Sequence, residues 1–205
     1  MSGAQIRSID VVTYAPYMLY FTGRTLWVCD YSGKYLCEHD IKTGTLIRRW
    51  GALAYAPTGV TSDGRTLWVC DYANKYLRQY DLATGTLIRS LGALAYAPYG
   101  IAFDGRSLWV TDYTNKYLRQ HDIKTGTLIR SLGALAVGTF DLAFDGRALW
   151  TLDFTNKYAR LYDIKTGTLI RSVSVPVSAP RGLTFDGRTL WVASGDTTYI
   201  YQYSI

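Results

Sequence analysis

Short runs of apolar residues alternate with polar ones along the whole chain, and the runs return at a fixed interval. Four of them stand in order between positions 100 and 132: Gly-Ile-Ala-Phe at 100–103, Ser-Leu-Trp-Val-Thr at 107–111, Tyr-Leu-Arg-Gln-His at 117–121 and Thr-Leu-Ile-Arg-Ser-Leu at 127–132. An alternation with a period of two belongs to a half-buried strand and not to a helix. The breaks between the runs are turn formers, Asp104-Gly105-Arg106, the stretch from Asp112 to Asn115 and the stretch from Asp122 to Gly126. Each unit therefore predicts four antiparallel strands.

Trp27, Trp68, Trp109, Trp150 and Trp191 each stand 41 residues from the next. A period of roughly 40–45 residues with a Trp in a short strand is that of a propeller blade. The expected fold is all-β: a five-bladed β-propeller of four-stranded antiparallel blades, at about 18–50, 59–91, 100–132, 141–173 and 182–205 plus 4–10, in a single domain over 1–205. The last blade borrows its fourth strand because Ile6 and Arg7 fall in the register of Ile47 and Arg48. The N-terminal strand then closes the ring and pairs an edge that would otherwise stay open. Hydrogen bonds of about 1 kcal/mol each and burial of Ile6 and Ile9 hold it there.

Composition changes this picture little. The chain has 22 Lys+Arg against 16 Asp+Glu, a net charge of +6, but the excess comes from singles repeated in each blade, such as Arg65, Lys75, Arg78 and Arg89. It is expected to spread around a disc rather than gather in a patch. Cys29 and Cys70 share one repeat position and read as small packing residues, while a bridge from Cys29 to Cys37 across one hairpin is the alternative. The first ten residues lack the pattern of a signal peptide, and no apolar run approaches the roughly 18 residues of a membrane span. A cytoplasmic location is the default expectation.

The stretch YGIAFDGRSLWVTDYTNKYLRQHDIKTGTLIRSLG resembles the repeat of NHL and related six-bladed bacterial propellers, through its G-[IV]-A-x-D-G, V-x-D-x-x-N and D-x-x-G landmarks. The likeness covers all five units, with departures at Thr22, at Gly33 and over the turn 194–198. It implies the fold strongly and the activity weakly, since such propellers host lyases, hydrolases, RNA binders and protein scaffolds.

No constellation for chemistry stands out. Relatives with metal-assisted activity are expected to gather Glu, Asp, Asn or His over the channel, whereas the innermost strands here offer Leu-Tyr-Phe, Val-Thr-Ser and Leu-Thr-Phe. His39 and His121 share one position in non-adjacent blades and read as structural. The expectation is a protein that is not an enzyme, with no cofactor, no metal and no membrane partner. Two sets of residues are candidates for binding instead. One is repeated: Tyr14, Tyr17, Tyr55, Tyr96 and Tyr99 of the crossovers, with Tyr72, Asn74, Lys75, Tyr113, Asn115, Lys116, Asn156 and Lys157 of the second turns. Rings, amides and ammonium groups in inter-blade clefts suit carbohydrate, and repetition lends multivalence. The other is Asp141 with Arg181, a polar pair near the axis that reads as a local ion pair or as a ligand-orienting one. A multivalent carbohydrate-binding module, monomeric unless built into an assembly, is thus the first expectation. A structural or protein-interaction scaffold is the alternative, and RNA binding, resting on charge, a third.

Overall fold

The turns explain the strands. Asp104 accepts from the amides of Arg106 and Ser107 (2.9 and 2.7 Å), from the Ser107 hydroxyl (2.7 Å) and from Trp109 Nε1 (2.8 Å), and Gly105 takes the positive φ of 93° that the turn requires. One carboxylate thus folds the hairpin and fixes the ring beneath it. The computed structural model describes residues 3–11, 16–51, 53–133, 135 and 139–205. Among these there are twenty strands in five four-stranded antiparallel sheets, and no helix.

Strand β1 (Gln5–Asp10) opens the chain. The first blade holds β2 (Leu19–Phe21), β3 (Thr25–Asp30), β4 (Tyr35–Asp40) and β5 (Leu46–Trp50); the second β6 (Pro57–Ser62), β7 (Thr66–Asp71), β8 (Tyr76–Asp81) and β9 (Leu87–Leu91); the third β10 (Pro98–Phe103), β11 (Ser107–Asp112), β12 (Tyr117–Asp122) and β13 (Leu128–Leu132). The fourth holds β14 (Thr139–Phe144), β15 (Ala148–Asp153), β16 (Tyr158–Asp163) and β17 (Leu169–Ser174), and the fifth β18 (Pro180–Phe185), β19 (Thr189–Ser194) and β20 (Tyr199–Ser204). The fifth sheet runs β1-β20-β19-β18, so the N-terminal strand completes it. Ser8 lies opposite Tyr201 and Ile9 opposite Ile200, after a bulge between Gln5 and Arg7. Ile9 is buried, but Ile6 is 54% exposed. Burial of Ile6 was expected and does not occur, because the outer strand turns this residue away from the neighbouring blade.

The core lies between blades. Each repeat Trp is fully buried and packs on the next blade: Trp109 on Leu142, Leu149 and Tyr162, and Trp191 on Leu19, Leu26 and Val28. An arginine from the outer strand covers each ring, with Arg89 5.3 Å from Trp68, Arg130 5.2 Å from Trp109 and Arg7 4.9 Å from Trp191. Arg130 also donates to the carbonyls of Ile164 and Lys165 in the following blade. Much of the positive charge is therefore spent stitching blades together. Trp50 tilts onto Trp27 at 4.5 Å and lies against Gly85 of the next blade, so it is a packing residue. Cys29, Cys37 and Cys70 are buried and form no disulfide; the alternative of a Cys29–Cys37 bridge is not realised.

Candidate functional site

The inner strands begin at one face of the disc, beside the crossovers, and end at the other. Near their start they approach so closely that side chains do not fit: a Cβ on Gly100 would lie 2.6 Å from the Asp141 Cα, and Gly59 and Gly182 are as tightly set against the carbonyls of Tyr99 and Tyr17. Asp141 occupies the equivalent position in the fourth blade and is completely buried. Its carboxyl accepts from the amides of Leu183 (2.8 Å), Leu142 (2.9 Å) and Leu19 (3.4 Å). These amides belong to the fifth, fourth and first blades. Inner strands have no neighbour on their axial edge, so their N–H groups would be orphaned there; one carboxyl ties three of them together and plugs the axis. Burial raises its pKa to about 8, against the lowering effect of the three amides.

Above the plug, on the crossover face, aromatic rings form two concentric circles. The inner circle is Tyr17, Thr58, Tyr99, Phe140 and Arg181, and the outer is Tyr31, Tyr72, Tyr113, Phe154 and Gly195. Ring centroids lie 5.0 Å apart for Tyr17–Tyr31, 4.8 Å for Tyr72–Tyr99, 4.8 Å for Tyr113–Phe140 and 5.0 Å for Phe140–Phe154. The Arg181 guanidinium sits among them, 4.9 Å from Phe154, 5.0 Å from Phe140 and 5.4 Å from Tyr17. Tyr17 hydrogen-bonds with Tyr99 and Arg181, and burial raises its pKa despite the nearby guanidinium. Among the described residues no carboxylate pairs with Arg181; the ion pairs are Arg48–Glu38, Arg78–Asp71, Arg119–Asp112 and Arg160–Asp153. The expected ion pair between Asp141 and Arg181 is therefore absent: the carboxyl is committed to backbone amides below, the guanidinium to rings above.

The repeated candidates divide. Tyr17, Tyr72, Tyr99 and Tyr113 belong to the platform. Tyr55 and Tyr96 do not: they are buried between blades, with Tyr55 bonded to the Tyr80 hydroxyl at 2.9 Å and Tyr96 to His121 Nε2 at 2.7 Å. His121 Nδ1 lies 2.9 Å from the Gly126 carbonyl and so carries the proton, leaving Nε2 to accept from the phenol. Asn74, Asn115 and Asn156 spend their amides on Asp71, Asp112 and Asp153 of their own turns, and those aspartates also hold Arg78, Arg119 and Arg160. Lys75, Lys116 and Lys157 occupy left-handed backbone positions, with φ of 61°, 59° and 58°, so their place is set by turn geometry. Repeated inter-blade clefts offering free amides are thus not formed. Tyr14 lies outside the described residues. Sequence reading missed Tyr31, Phe140 and Phe154, although the 41-residue register aligns Tyr31 and Phe154 with Tyr72 and Tyr113, and Phe140 with Tyr17 and Tyr99. Among the described residues no group of three or more His, Cys, Asp or Glu gathers to hold a metal, and no helix is long and apolar enough to cross a membrane.

No protein-family model matches the chain, and no curated protein does; the NHL likeness rests on its landmarks alone. Solved structures do match. The glutaminyl cyclase of Myxococcus xanthus superposes with a TM-score of 0.86 at 12% identity, over 98% of this chain and 95% of that one. The computationally designed protein Ika8 matches with a TM-score of 0.54 at 18% identity, over 90% of this chain and 57% of its own. At such identities the likeness is one of fold. The architecture is a five-bladed propeller. It also corrects the expectation that the chain is not an enzyme: nearly the whole of it shares its architecture with one, so sparse polar residues along the channel are no ground for excluding chemistry.

Proposed function

We propose that the protein recognises one small ligand on the axis of the crossover face, a molecule with a flat apolar body and an anionic or carbonyl oxygen. The observation that carries this reading is Arg181, a guanidinium without a carboxylate partner set among aromatic rings. Rings stack on flat or apolar ligand faces, and a partly desolvated arginine binds an oxygen anion far more strongly than one in bulk water. This replaces a multivalent carbohydrate reading, whose directed amides are engaged within the turns. Binding is the first step of catalysis too, and the fold shared with glutaminyl cyclase makes a peptide with an N-terminal glutaminyl group the first substrate to offer.

The test is calorimetric titration with benzoate and phenylpropionate, repeated on Arg181→Gln. Binding that is lost in the variant supports the reading; no heat, or equal affinity in both proteins, refutes it. Release of ammonia from a glutaminyl peptide, abolished by the same substitution, would extend the reading to turnover.

A further inference from the structure

The opposite face carries a second, separate cavity. Below the Asp141 plug the channel widens to about 260 Å³, lined by Leu19 to Phe21 of β2 and the corresponding residues of the other inner strands. Phe21, Phe103, Phe144 and Phe185 form a collar at its mouth, with Ser62 in the fifth place. No Lys, Arg, Asp or Glu lines it.

Its wall holds unpaired amides, and the ladder shows which. The turn amides of Asp104, Asp145 and Asp186 donate to Ser107, Ala148 and Thr189. In an antiparallel pair hydrogen-bonded residues alternate with those whose N–H and C=O point away, so Phe103, Phe144 and Phe185, one residue earlier, direct their amides toward the axis. Phe21, the same position in the first blade, does so and donates to Thr184 Oγ1 of the preceding blade at 3.0 Å. For Phe144 and Phe185 the residues standing where Thr184 stands are Ala102 and Ala143, which have no acceptor. The Phe103 amide stands in register with Thr61 without bonding to it. Phe144 and Phe185 are thus the two whose neighbour offers no acceptor at all, and these two donors face a cavity with an aromatic rim.

We propose that this cavity binds a small uncharged molecule with a carbonyl oxygen and a flat apolar body, the oxygen accepting from the Phe144 and Phe185 amides and the body lying within the phenylalanine collar. With no cation in the wall, a carboxylate entering here would lose its hydration without a counter-charge, so neutral amides and ketones are preferred. The site is distinct from the crossover face in chemistry as well as in place.

Benzamide is the probe, followed by amide NMR on the full chain. Saturable shifts at Phe144 and Phe185, with contacts to the collar rings, are expected, and they should persist in Arg181→Gln. The double variant Ala102→Thr/Ala143→Thr supplies the acceptor that Thr184 gives Phe21, and threonine at this position is already carried by the second and fifth blades. It should weaken benzamide about tenfold or more. Undiminished affinity in the double variant, absence of shifts at these amides, or equal binding of benzoate in the cavity would each overturn the assignment.

Discussion

Gly195 faces Arg181 so closely that a Cβ there would stand 2.7 Å from the arginine Cγ and 2.9 Å from its Nε. The other blades carry Tyr31, Tyr72, Tyr113 or Phe154 at this position; only the fifth gives up its outer ring, and the vacated space holds the guanidinium. The departing turn at 194–198 and the lone axial arginine are one device. Gly195→Ala is expected to displace Arg181 and weaken benzoate several-fold, with a change in stability below about 1 kcal/mol. Calorimetry beside a urea melt separates the two effects.

The fourth blade lacks a network that its sisters have. In the third, Gln120 accepts from Arg130 Nε at 2.7 Å and donates to Ser107 Oγ at 2.7 Å. The fourth has Leu161 and Ala148 at these places, and both Trp150 Nε1 and Arg171 Nε are buried without a partner. Leu161→Gln with Ala148→Ser should therefore raise stability by about 1 kcal/mol, the net value of a restored hydrogen bond after the lost leucine burial. A lower denaturation midpoint would count against this account.

Closure by β1 is also open to measurement. Removing residues 1–10 strips the β20 edge and uncovers the contacts of Ile9 with the core beside Trp191. A loss of about 3 kcal/mol or more is expected, and equilibrium unfolding reads it directly.

Asp141 gives the fold an unusual response to pH. Its folded pKa of about 8 lies above that of an unfolded aspartate, about 3.9. Between these values the folded state holds a proton that the unfolded chain has released, so this group's contribution is fully present below about pH 4 and is lost as pH rises through 8. Asp40, Asp81, Asp122 and Asp163 act oppositely: amide and hydroxyl hydrogen bonds from Thr43, Thr84, Thr125 and Thr166 hold them down, and their contribution is lost only under acid. Stability from this group should fall between about pH 4 and 8 and level off above that, and Asp141→Asn should flatten that slope. A wild-type slope retained in the variant would locate the proton elsewhere.

Lys116 holds a φ of 59°, where a side chain costs roughly 1–2 kcal/mol relative to glycine. Lys116→Gly is expected to stabilise the turn, less the greater freedom of glycine in the unfolded chain, and to leave benzoate affinity unchanged. Weaker binding in this variant would return the lysines to the ligand site.

The sequence by itself determined the fold to the level of blades, strands and ring closure. A repeat of 41 residues carries strand period, turn chemistry and the tryptophan core together, and local rules that agree in every unit leave little for long-range contacts to decide. It also singled out Asp141, Arg181 and the turn at 194–198, because a strict register makes departures visible. Only the tertiary structure decided what these residues do. Periodicity places Asn115 and Tyr113 on the same turn, but it does not reveal that Asp112 consumes the amide while the ring joins Phe140 over the axis. Nor does it reveal whether a carboxyl and a guanidinium at neighbouring positions will meet. The amides of three inner strands converge on Asp141 and the rings of two circles surround Arg181, and both arrangements exist only once five blades have closed around one axis.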